Sequence, residues 1–139
     1  MESREIGFLI KSINDKIKVK ADTDLKQHGL TFAQCRILGF LHERGGQATQ
    51  KEIEDYFQIA HPTVVGLVGR MEKNGFVETW FDPADGRSKL VRTTKKAEQQ
   101  GKDMEHFIHE QEIAMTAGLS PEEVSELKHM LEVIYHNMT

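Results

Sequence analysis

Hydrophobic residues in this chain recur on two periods, and the changes from one to the other mark out its elements. Ile6, Leu9, Ile10, Ile13 and Ile17 fall at helical spacing with Lys11, Lys16, Lys18 and Lys20 between them. That pattern predicts an amphipathic helix with one apolar seam. Thr31 with Gln34 three residues on forms a capping box, and Ile37, Leu38 and Leu41 follow on a core-facing stripe that Gly45-Gly46 ends. Thr49 and Glu52 repeat the box and open a short helix through Phe57, with Ile53 and Phe57 inward. A third helix starts at His61-Pro62-Thr63. Proline suits the first helical position because its missing N–H would be unpaired there, which makes His61 the expected N-cap. Val64, Leu67, Val68 and Met71 then build one apolar stripe. Asn74-Gly75 closes the helix, since glycine readily takes the left-handed cap conformation.

Beyond Gly75 the pattern changes. Residues 76–81 are rich in β-formers, residues 82–87 carry the Pro, Asp and Gly of a tight turn, and residues 88–93 read as a returning strand. Thr94 is the expected cap of a long helix with Met104, Phe107, Ile108, Ile113 and Met115 on apolar positions. Ser120 caps the next helix, Pro121 takes its first position, and Glu123 completes a capping box. Val124, Leu127, Leu131 and Ile134 give that helix a heptad-like seam.

The outer face of the third helix is unusual, carrying Thr63, Val65, Gly66, Gly69, Arg70 and Lys73. Each glycine costs a helix roughly 1 kcal/mol relative to alanine. Small side chains beside cations suit close approach to another surface, such as a DNA groove; the bland alternative is a tolerated glycine pair on a solvated helix. The hairpin that follows favours the first. Helix, turn, helix and a hairpin with a cation near its tip make up a winged helix.

The chain here resembles the MarR family of bacterial transcriptional regulators. The residues that carry the resemblance are Gly75-Phe76-Val77-Glu78, then 82–89 (Asp-Pro-Ala-Asp-Gly-Arg-Ser-Lys), then Thr94. In that family the wing holds an Asp–x–Arg pair whose arginine enters a minor groove while the aspartate orients it. The resemblance gives those roles to Arg87 and Asp85. It extends over the whole chain, with two departures: Thr93 where the family often has leucine, and Ala97 where it often has glycine. Both bear on how the wing joins the following helix. The resemblance further implies a two-fold dimer built by the N- and C-terminal helices, and repression relieved by a small-molecule effector bound between those helices and the DNA lobe.

Charge sharpens this picture. The net charge of −4 is awkward for a nucleic-acid binder, but it is unevenly spread. Residues 1–60 hold nine Lys/Arg and nine Asp/Glu; residues 61–96 hold seven against four; residues 97–139 hold two against nine. DNA affinity depends on where cations sit, because each phosphate contact releases counterions locally. One cysteine excludes an intramolecular disulfide framework, and no apolar run approaches the ~20 residues that cross a bilayer. The expected setting is the cytoplasm, with no membrane partner.

Other chemistry is thinly supported. Cys35 invites a redox-sensing role, but it lies beside Leu38 on an inward face, where cysteine behaves as a small hydrophobe. His106 and His109 lie three apart with Glu105, Glu110 and Glu112 nearby, yet no further ligand of set geometry is fixed, and solvated polar residues are the simpler reading. No nucleophile elbow, phosphate loop or Cys-x-x-Cys pair points to an enzyme, and no cofactor is implied.

The expected fold is mainly α: one domain over residues 1–139, with a winged helix-turn-helix lobe at 30–96, a small antiparallel hairpin wing, and dimerisation helices at 1–25 and 97–139. His61, Pro62, Thr63, Val65 and Gly66 are the candidate contacts to base edges, Arg70 and Lys73 to phosphates. Arg87 with Asp85 is the candidate minor-groove contact, and Lys89 supports it on the backbone. The rival is a winged-helix adaptor that binds a protein and ignores DNA.

Overall fold

The computed structural model describes residues 4–138, apart from the side chains of residues 85–88. Two compact units are formed, Met1–Met104 and Glu105–Thr139. The first contains α1 (Ile6–Leu25), a 3-10 turn (Lys26–His28), α2 (Phe32–Glu43), β1 (Gln47–Thr49), α3 (Gln50–Phe57), α4 (His61–Lys73), β2 (Val77–Asp82) and β3 (Asp85–Thr93). It also takes in the first half of α5 (Lys95–Met115), and the second unit holds the remainder of α5 and α6 (Pro121–Asn137).

Local chemistry sets most of the helix starts. All three expected capping boxes form, at Thr31 with Gln34, Thr49 with Glu52 and Ser120 with Glu123. In each, a hydroxyl accepts from the N3 backbone N–H and the N3 side chain accepts in return. Thr94 caps α5, its Oγ1 accepting from Ala97 N at 3.3 Å. The core of the first unit is built by α2, α3, α4 and the sheet: Ile37, Leu41, Ile53, Val64, Met71, Phe76 and Val91 are all fully buried. Phe57, expected inward, is only half-buried and stands edge-on to Phe40 at 5.6 Å between ring centroids.

The sheet departs from expectation in two ways. It has three antiparallel strands in the order β1-β3-β2, not a lone hairpin. The added strand pairs Ala48 with Val91, and three residues are too few to show an alternating pattern of their own. The turn is also shorter than residues 82–87. Asp82 pairs with Asp85 across Pro83-Ala84, and Asp82 Oδ1 accepts from Ala84 N at 2.9 Å, an Asx turn. The backbone at 85–87 is therefore strand.

Candidate nucleic-acid interface

Helix α4 is the centre of the candidate interface, and its two ends are fixed differently. At its start the N-cap is Ala60, not His61: the Ala60 carbonyl accepts from Thr63 N at 3.0 Å and Val64 N at 3.2 Å. His61 thus lies inside the first turn with Pro62 behind it, and its ring bonds to α3 instead of capping. His61 Nδ1 stands 2.7 Å from Glu54 Oε2. At the far end a Schellman cap forms, with Gly75 at φ +83°, Gly75 N donating to Glu72 O and Phe76 N to Met71 O.

Between those ends the two faces separate as expected. Val64, Leu67, Val68 and Met71 are buried, while His61, Pro62, Thr63, Val65, Gly69, Arg70 and Lys73 are exposed and Gly66 is half-buried. The glycines have no internal explanation. A methyl group added at Gly66 would lie 3.5 Å from Arg70 Nη1, an ordinary contact, and one added at Gly69 would meet nothing within 4 Å. Alanine would favour the helix by roughly 1 kcal/mol at each. Arg70 and Lys73 form no ion pair with any described residue.

The wing is tied to this helix from both sides. Glu72 Oε2 accepts from Thr79 N at 2.9 Å and from Thr79 Oγ1 at 2.6 Å, which pins β2 against α4. Thr94 Oγ1 donates to Gly75 O at 2.6 Å, and Lys96 Nζ to Asn74 O at 2.8 Å. Thr93 N donates to Gly46 O at 2.9 Å and its Oγ1 to the same carbonyl at 3.3 Å, so the threonine found where the family often has leucine adds a hydroxyl bond between the end of β3 and the α2–β1 turn. Lys89 is half-buried opposite Phe81. Arg92, one of the seven cations of this segment, is engaged by Glu78 at 3.1 Å and lies over the Trp80 ring. The side chains of Asp85 and Arg87 lie outside the described residues, and the pairing expected of them with those side chains.

Other candidates find simpler environments. The α3 N-terminus is occupied by Glu52, whose carboxyl is held below its ordinary value chiefly by the Thr49 backbone N–H and also by Arg44, its ion-pair partner. Cys35 is fully buried with Sγ 3.5 Å from Met104 Sδ, and burial pushes its thiol up to about 11. His106 Nε2 lies 3.9 Å from Glu110 Oε1 on an exposed helix face. No group of three metal-ligating His, Cys, Asp or Glu occurs among the described residues. No helix among the described residues is long and apolar enough to cross a membrane. A small cleft lined by Leu38, His42, Ala97, Glu98 and Met104 opens between α2 and the first half of α5.

Known proteins share this arrangement. A family model described as MarR family matches residues 28–88, which cover α2 through the wing turn. The HTH-type transcriptional repressor IacR of Pseudomonas putida is 32% identical over 114 residues, spanning 82% of this chain and 68% of that protein. The chain belongs to the MarR family. Another relative, the uncharacterised HTH-type transcriptional regulator YwoH of Bacillus subtilis (strain 168), is 31% identical over 90% of this chain and 92% of its own length. Among solved MarR-like structures, the S. aureus MepR–DNA complex superposes with a TM-score of 0.90 at 26% identity, covering 97% of this chain and 99% of that one. MarR proteins are transcriptional regulators, and the fold of this member is the family's winged helix.

Two acidic residues escape a reading of the sequence. Glu54 and Glu72 reach partners seven residues on, His61 and Thr79, from different elements. Neither spacing is a periodic signal, so only the folded chain brings them into view.

Proposed function

We propose that this MarR-family regulator binds a pseudo-palindromic operator as a homodimer and represses transcription until a small-molecule effector releases it. One observation carries the reading: the solvent face of α4 keeps two glycines that no internal contact requires, beside two cations that pair with no acidic group among the described residues. A helix that gives up propensity on its exposed side gains if a second surface must come close.

In this reading α4 enters the major groove, with His61, Pro62, Thr63, Val65 and Gly66 toward base edges and Val65 against thymine methyl groups. Arg70 and Lys73 meet phosphates. Arg87, steadied by Asp85, enters the flanking minor groove, and Lys89 supports it on the backbone. Residues 30–96 act as the DNA lobe, while 1–25 and 97–139 pair two copies, which sets half-sites about one helical turn apart. Partners are double-stranded DNA, a second copy and the effector; the setting is the cytoplasm, with no catalytic step.

The test begins with selection of bound genomic fragments, then titration of the recovered operator at several salt concentrations. Arg87→Ala is expected to weaken operator binding markedly with fold and dimer intact. Lys73→Ala is expected to weaken all duplexes alike and to flatten the salt dependence by about one unit of slope. Unchanged operator affinity in Arg87→Ala takes the wing out of the mechanism. A chain that ignores DNA at low salt yet captures a protein partner is an adaptor instead.

A further inference from the structure

We infer that Glu54 is a positioning residue for base recognition: it fixes the His61 ring so that Nε2 reads an exocyclic amino group, cytosine N4 or adenine N6, in the major groove. The inference rests on the DNA-binding reading above.

Glu54 belongs to α3 and His61 to the first turn of α4, so the contact crosses the helix-turn-helix. The turn that joins them is held in one shape. Gln58 takes a left-handed conformation at φ 54°, Gln58 N and Ile59 N both donate to Glu54 O, and Gln58 Nε2 donates to Asp55 O at 2.6 Å. This brings Glu54 Oε2 to 2.7 Å from His61 Nδ1.

Burial of the two side chains is unequal. Glu54 is 13% exposed, whereas the His61 side chain is 67% exposed. The other charged groups of α3 are engaged elsewhere, Lys51 with Asp55 at 3.2 Å and Glu52 with Arg44. A bare carboxylate beside a DNA-reading helix would repel phosphates. One drawn in behind the ring and bonded to it has a different effect.

A carboxylate only accepts hydrogen bonds, so Nδ1 must carry the proton that joins the two groups. In the neutral ring the other nitrogen is then an acceptor, which fixes the choice an unconstrained imidazole leaves open. Nε2, on the edge of the ring away from Glu54, is the nitrogen left for a ligand. In the major groove cytosine N4 and adenine N6 are the donors such an acceptor can use, whereas guanine offers acceptors at N7 and O6. His61 lies in the first turn of α4, and the N-terminal residues of a recognition helix are those that meet base edges.

The test measures binding of the full-length protein to synthetic duplexes carrying each base at each position of the selected operator, at mildly alkaline pH. The wild type should prefer cytosine or adenine at one symmetric position per half-site, by about tenfold, the scale of one buried hydrogen bond lost. His61→Ala and Glu54→Ala should each level that position and leave the others unchanged. Together they should do no more than either alone, and Glu54→Gln, whose amide oxygen still accepts, should retain most of the preference. Ring nitrogen NMR shifts of the free protein give a readout without DNA. Nδ1 of His61 should be protonated and Nε2 not, with the assignment lost in Glu54→Ala while the rest of the spectrum stays folded. A uniform loss across all sequences in Glu54→Ala would make the residue merely structural. A guanine preference at that position at the same mildly alkaline pH would overturn the acceptor assignment. A wild type that binds no duplex brings down the DNA-binding reading and this one with it, whereas a position-independent effect sinks this one alone.

Discussion

Cys35 shows how a single side chain can look reactive in a sequence and be quiet in a fold. It stands in the first turn of α2, where a thiolate gains from the helix dipole, yet it is fully buried against Met104. Burial dominates, and the thiol rises from its ordinary 9.0 to about 11, Arg36 opposing the shift only in part. The folded chain therefore holds a proton between those two values that the unfolded chain has released. Stability from this group is complete below about pH 9 and is lost as pH rises through about 11, on the order of 3 kcal/mol in all. Denaturant melts over that range should show the loss in the wild type and not in Cys35→Ala, whose lower baseline from the lost packing should stay level. A thiol reagent at neutral pH should label the native protein only as fast as it opens. Residue-scale features were legible in the chain where they are local. The capping hydroxyls of Thr31, Thr49 and Ser120 all bond as their spacing implies. The N-cap at Ala60 was not, because no side chain marks it and the bond that draws His61 away comes from another helix.

Among the elements, the contact of most consequence is that between α4 and the wing. Glu72 and Thr79 make two hydrogen bonds across it, and together they set where the hairpin stands relative to α4. Glu72→Ala leaves the Thr79 N–H and hydroxyl to water and frees the hairpin to shift. Operator affinity measured by fluorescence anisotropy should fall roughly fivefold to tenfold with helical content unchanged. Unaltered affinity would mean the wing is set by its anchors at Gly46 and Gly75 alone. Periodicity revealed the helices well, since Val64, Leu67, Val68 and Met71 face inward on α4 as their spacing requires. It was silent on β1, whose strand character comes from pairing with β3 and not from its own three residues. It also overran the wing turn, because Asp85-Gly86 favours turns by composition while the Asx bond of Asp82 closes the hairpin two residues after it.

For the whole molecule, the distribution of apolar surface carries the most information. Ile6, Ile13, Leu131, Val133 and Tyr135 are exposed, and α6 has no buried residue at all. A 17-residue helix with a heptad-like seam and no buried position is unfinished as it stands, and a second copy is the occupant proposed above. Leu131→Arg should raise the dimer dissociation constant by roughly tenfold or more in sedimentation analysis. Operator affinity should fall with it, because half-site binding is then no longer joint. A variant that stays dimeric at low concentration removes α6 from the interface. The acidic character of residues 97–139 fits the division of labour proposed above, in which the cations of residues 61–96 meet phosphate.

Helix α5 has a further consequence. It runs unbroken for 21 residues, about 30 Å, and its capping residue is hooked to the glycine that closes α4 through the Thr94 hydroxyl and the Gly75 carbonyl. A rod pinned so close to one tip is a lever. Tilting its first half, as far as Met104, loads that bond and so pulls on the end of α4.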